Sequence, residues 1–249
     1  MPDSPAAAVR RAARLPRQRG AALLLLLAVA GVGAATLLVS ALGGNRNDLA
    51  RERRTLTQLG QANEALLGFA LSHGRLPRPA ISATDGRESP LPCASEQACT
   101  GFLPWVTLGI DGADAWGKLL RYSVTPAYAA YTVQAASMVA DKRVLARDGS
   151  GRTYFVAGQA ACTLDSQCMP AVVLSSGRRR LGTSAQGVPQ HNESVRNSDE
   201  QQNNAGSNDF MQRPTTEDPK APGGEFDDLV SWLPLRQLYL RMNAAGRLL

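Results

Sequence analysis

The sequence predicts an α+β fold, a long N-terminal helix packed on a small antiparallel β-sheet. Three observations predict it. An uncharged apolar run from Gly20 to Leu42 passes into a polar stretch that keeps helical spacing. A proline-rich segment from Gly74 then ends that periodicity. Beyond it lie short alternating apolar runs separated by Gly- and Asp-containing turns, the pattern of paired strands.

Residues 1–20 form a basic leader, with Arg10, Arg11, Arg14, Arg17 and Arg19 opposed only by Asp3. Residues 21–42 are long enough to cross a bilayer, roughly 33 Å as a helix. Basic residues ahead of the span predict a cytoplasmic leader, a single pass and an exported remainder. Ala30, Gly31, Gly33, Ala34 and Ala35 form a small-residue patch that would let helices approach closely. The leader carries most of the net charge of +6, leaving +2 for the rest. The basic balance is therefore a topology signal and not a nucleic-acid footprint, and no nucleic-acid partner is expected.

Residues 43–74 continue as an amphipathic helix with Leu49, Leu56, Leu59, Leu66 and Ala70 as one narrow apolar stripe and Gly74 as its stop. Residues 75–176 combine a loop with the sheet. Phe102, Leu103, Trp105, Val106 and Leu108 are expected to return to the core. Strands are expected from Leu120 to Val124 and at Tyr131–Val139, Arg152–Ala157 and Ala171–Ser175, with Asp148-Gly149-Ser150-Gly151 as a turn. Together they read as an antiparallel meander whose apolar face covers the helix stripe.

Residues 177–224 are rich in Asn, Gln, Ser, Gly and Pro, open on Arg178-Arg179-Arg180, and read as a disordered polar loop. Residues 225–249 read as a C-terminal helical segment. Asp227 and Asp228 would lie at the start of its first helix, where carboxylates suit the dipole. Pro234 would break it and a second helix would run from Leu235 to Ala245.

All four cysteines, Cys93, Cys99, Cys162 and Cys168, follow the span, and an even number in an exported domain points to disulfides. Three pairings are possible; Cys93–Cys99 and Cys162–Cys168 are favoured. A four-thiolate zinc site is the alternative, although CxxC spacing is absent. No HExxH, GxSxG, P-loop or GxGxxG motif occurs, and the two histidines, His73 and His191, lie in unrelated segments. No enzymatic activity is expected.

Several of these segments together resemble type IV pilins and type II secretion pseudopilins. The basic leader ending in Gly20, with a leucine-rich helix starting at once, is similar to the class III signal of that family. The resemblance implies cleavage by a prepilin peptidase between Gly20 and Ala21 and methylation of the new N-terminus. Ala21 stands where the family usually has Phe or Met, and Leu25 where most members have Glu. Members without that Glu, such as the large tip pseudopilin, sit at a filament end, so the resemblance implies a minor subunit, at the tip or initiating. Asp114-Ala115-Trp116-Gly117, followed by Tyr122, resembles the turn by which major pseudopilins enter their first strand. Asp227-Asp228-Leu229, with Trp232, resembles their C-terminal end. In the family that Asp pair holds calcium, with Leu174 and Ser176 matching the carbonyl donors. The family's acidic residue after Gly177 is replaced by Arg178. The implied partners are other pilin or pseudopilin subunits, the prepilin peptidase and the membrane. A single-span anchored periplasmic binding or sensor domain that never assembles is the rival reading.

Overall fold

The computed structural model describes residues 19–248 apart from Gln167, Arg180 and Glu193, and gives backbone but not side chains for residues 19–25 and 28–45. The leader up to residue 18 therefore lies outside the described residues, as do the side chains of the Gly20–Ala21 processing pair, Leu25, the small-residue patch and most of the expected span. Among the described residues no helix is long and apolar enough to cross a membrane. The chain falls into two units divided after Asp48. In the first, the described residues are helical and Leu26 and Leu27 are exposed. The second unit is Leu49–Leu249.

Helix α1 (Arg19–His73) enters this unit with one buried face. Thr55, Leu59, Ala62, Leu66 and Ala70 lie inside it, spaced by three or four residues as a helix face requires. The expected stripe is corrected at its start. Leu49 and Leu56 are each 49% exposed, because Thr55 and not Leu56 continues the face of Leu59 toward the N-terminus. Gly74 ends the helix in the left-handed region (φ 74°), its N–H bonded to Ala70 O at 2.8 Å.

The following loop is pinned by charge. Glu88 accepts from the guanidinium groups of Arg75 (2.5 and 3.2 Å) and Arg78 (3.2 Å), and from the Arg78 N–H (2.8 Å). Burial alone would raise the Glu88 carboxyl, but these bonds bring it below its ordinary value. Strand β1 (Thr100–Phe102) and the short helix α2 (Trp105–Leu108) interrupt the loop. Leu103 reaches the core, whereas Val106 is exposed.

Next come β2 (Arg121–Val124), α3 (Pro126–Ala130), β3 (Arg143–Arg147), β4 (Thr153–Ala157) and β5 (Ala171–Ser175). The expected strand Tyr131–Val139 is instead a loop crossing the end of α1. The Val133 N–H bonds Gly74 O, and Gln134 starts a turn closed by the Met138 N–H. β3 is a strand that the sequence reading passed over. Asp148–Gly151 is a turn as expected, but it joins β4 to β3 and not to one of the expected strands.

The tract 177–224 is not a disordered loop. It forms the hairpin β6 (Gly182–Thr183) and β7 (Pro189–Gln190), helix α4 (Ser198–Asn204) and strand β8 (Asp209–Met211). Few apolar residues anchor it, chiefly Phe210 and Met211. Its polar side chains instead satisfy one another. Asp199 accepts from both Arg147 (2.7 Å) and Arg213 (2.8 Å), and Arg213 lies over the Phe226 ring at 4.6 Å. The end of the chain is also corrected. Leu229–Leu233, expected as helix, is strand β9, and Asp227 and Asp228 precede a strand instead of capping a helix. Helix α5 (Leu235–Ala244) then follows Pro234 and stops before Gly246, as expected.

Among the described residues the main sheet has the order β1-β2-β5-β9 and is antiparallel throughout. Central β5 is buried on both faces. Ala171 and Val173 join the α1 residues Leu59, Leu66 and Ala70 in one core, with Tyr122, Val124, Tyr128, Leu235 and Leu238. Val172 and Leu174 point to the opposite face, against Val144, Phe210 and Val230. That second layer is a small sheet, β4-β3-β8, in which β3 pairs with β4 antiparallel and with β8 parallel. The sheet is thus covered by the helix on one side and by strands on the other, one of them from the tract read as disordered. Disulfides close Cys93 to Cys99 and Cys162 to Cys168.

Candidate functional site

Three loops converge at one end of the main sheet. The first is Asp114–Lys118. Its Asp114 Oδ1 accepts the N–H groups of Trp116 and Lys118, both at 2.9 Å, and its Oδ2 accepts the Ser175 hydroxyl at 2.5 Å. Gly117 takes the left-handed conformation that the turn needs (φ 78°). Burial pushes the Asp114 carboxyl up although each of these bonds works against it. The turn hands Lys118 inward. That side chain is buried, and its ammonium donates to Ser176 O (3.2 Å) and Leu181 O (2.9 Å). Burial draws the ammonium below its ordinary value, opposed by the charges of Asp227, Asp114, Asp228 and Glu200.

The second loop is Ser175–Leu181. Gly177 is in the left-handed region (φ 59°), and a Cβ there would lie 2.2 Å from Asp227 O. Glycine is required on both counts. The turn aims the N–H groups of Arg178 (3.0 Å) and Arg179 (2.9 Å) at Asp227 Oδ2. Two successive backbone donors make an anion-holding nest. Arg178 and Arg179 thus hold Asp227 through their backbone.

The third loop brings Asp227 and Asp228 into β9. Both are buried. Asp228 Oδ2 accepts from Asn203 Nδ2 at 2.8 Å. Asn203 also bonds Met211 N (2.6 Å) and O (3.0 Å), closing α4 onto β8. Glu200, in the first turn of α4, accepts the Asp227 N–H at Oε1 (2.8 Å) and the Asn197 amide at Oε2 (2.7 Å). One oxygen each from Glu200, Asp227 and Asp228 lies within 4.8 Å of the others. Burial pushes Asp228 well above the usual carboxylate range, and the charge of Glu200 adds to this. Burial likewise raises Glu200.

Asp227 and Asp228 therefore come together as the sequence suggests, with a third carboxylate, Glu200, that the sequence reading missed. Its signal was Asn197-Ser198-Asp199-Glu200, a helix-start pattern inside a tract read for its composition alone. These three carboxylates form a group that could hold a metal ion; calcium takes six to eight oxygens, and many of the donors here are already hydrogen-bonded. Ser176 O is bonded to Lys118, both Glu200 oxygens and one oxygen of each aspartate are already bonded, and Leu174 is held in β5 between Arg121 and Val230. The acceptors left are Asp227 Oδ1, Asp228 Oδ1 and Ser176 Oγ, buried without partners. Beside the cluster, sharing Glu200, lies a cavity of about 240 Å³ lined by Arg179, Leu181, Asn192, Ser194, Asn197 and Glu225. His73, stacked on Phe69 at 3.9 Å, belongs to the end of α1.

No family model, no curated protein and no solved structure matches this chain.

Proposed function

We propose that the chain is a minor pilin or pseudopilin, a structural subunit at the tip or initiating end of a type IV pilus or type II secretion fibre. It acts by assembly and not by catalysis. In this reading the leader is cut after Gly20, and the apolar helix rests in the inner membrane before entering a fibre. Other subunits and the prepilin peptidase are its partners, and the folded domain lies in the periplasm.

One observation carries the reading. The two stretches that resemble pseudopilins, Asp114–Gly117 and Asp227–Trp232, meet at one end of a sheet, and the last turns of the N-terminal helix pack on that sheet. Motifs more than a hundred residues apart thus serve one helix-on-sheet unit in family order.

The test is the mass of the N-terminal peptide from membrane-extracted protein, with and without the prepilin peptidase. A peptide beginning at methylated Ala21, lost without the peptidase, is expected. A peptide beginning at Met1 or Pro2 in both samples sinks the reading and favours an anchored periplasmic binding or sensor domain.

A further inference from the structure

We propose that Lys118 is the resident cation of the acidic loop cluster, so that the loops around Asp227 and Asp228 are held without a divalent metal ion. Three buried carboxylates gathered this closely must be compensated, since an isolated buried charge is costly. A bound metal, a proton or a built-in cation can do it. Lys118 approaches the cluster on a fixed path, bonding none of its carboxylates but lying close enough for their charges to act on its ammonium. Its own N–H is tied to Asp114 Oδ1, so the side chain leaves a turn that is already closed. Its ammonium bonds Ser176 O and Leu181 O, the carbonyls that bracket the turn whose N–H groups hold Asp227. The ammonium and the backbone nest therefore clamp one loop from two sides.

Ser176 O, which the resemblance assigns to a metal, thus faces an ammonium instead. A divalent ion among the remaining oxygens would face a buried ammonium in a low-dielectric setting, where repulsion is poorly screened. The tract 178–224 completes the arrangement. Leu181 supplies the second carbonyl, and the amides of Asn197 and Asn203 donate to the carboxylates of Glu200 and Asp228. The inference concerns the domain's own chemistry and stands whether or not the chain assembles into a fibre.

The experiment is thermal unfolding of the full chain in detergent, in EGTA and in millimolar calcium, with metal content measured on the same sample. The wild-type chain is expected to melt at the same temperature in both and to carry no stoichiometric calcium. A melting temperature several degrees higher in calcium, or one calcium per chain, overturns the proposal. Lys118→Ala removes the ammonium and opens space beside the carboxylates. It is expected to melt several degrees below wild type in EGTA and to gain a calcium response; a variant that melts like wild type and ignores calcium also overturns the proposal. If Lys118→Ala does not fold, the wild-type comparison decides alone.

Discussion

Asp228 shows what one residue contributes to the cluster. Its carboxyl is held well above the usual range, first by burial and then by Glu200, with the charge of Lys118 working the other way. The sign of the consequence follows from proton binding. Between the unfolded value, 3.8, and the raised folded value, the native state binds more protons than the unfolded state, so stability falls as pH rises through that window. Glu200 and Asp114, also raised, act in the same sense. Asp228→Asn keeps an acceptor for Asn203 and removes the titration. The melting temperature of the variant relative to wild type is expected to climb as pH rises from about 4, the ordinary carboxylate range. A difference that stays flat between acid and neutral pH would show that Asp228 ionises as freely when folded as when unfolded.

At the scale of elements, α1 and β5 were legible because each obeys one period. Leu59, Leu66 and Ala70 of the expected stripe keep the helical spacing, and Ala171–Ser175 is a short apolar run bounded by Pro170 and Gly177. β9 was misread because Leu229, Trp232 and Leu233 also fit a helix face. What decides it is pairing: Ser175↔Leu229 through Ala171↔Leu233 gives every residue of β9 a partner on β5. The face of α1 can be tested directly. Leu66 is fully buried among Tyr122, Val173 and their neighbours, and its truncation to Ala is expected to cost about 2–5 kcal/mol. Leu56→Ala, on a half-exposed position, is expected to stay within about 0.5 kcal/mol. Chemical denaturation of the two variants measures both. Equal losses would mean that Leu56 shares the buried face, as the sequence stripe placed it.

The whole molecule turns on the tract 177–224, and here composition misled. A segment poor in apolar residues cannot order itself alone, but this one is ordered by what it meets. β8 adds to β3 in parallel register, the hairpin lies along the Asp114 turn through the Leu119 N–H to Thr183 O bond, and α4 delivers Asp199 to two arginines. None of these partners is near in sequence, and so neither they nor Glu200 could be read from it. A fixed tract buries Phe210 and Met211, whereas a disordered one would offer an aromatic residue to any protease. Chymotrypsin under native conditions is therefore expected to spare the bond after Phe210, with cleavage there only once the domain unfolds. Asp199→Ala leaves Arg213, with a side chain only 6% exposed, without its carboxylate. Removing one partner of such a buried pair costs about 3–5 kcal/mol, enough to release α4 and β8 from the sheet. The variant is expected to be cut after Phe210 while α1 and the main sheet stay protected. Rapid cleavage of the wild-type chain at that bond would return the tract to a loop and would detach Glu200 from the site.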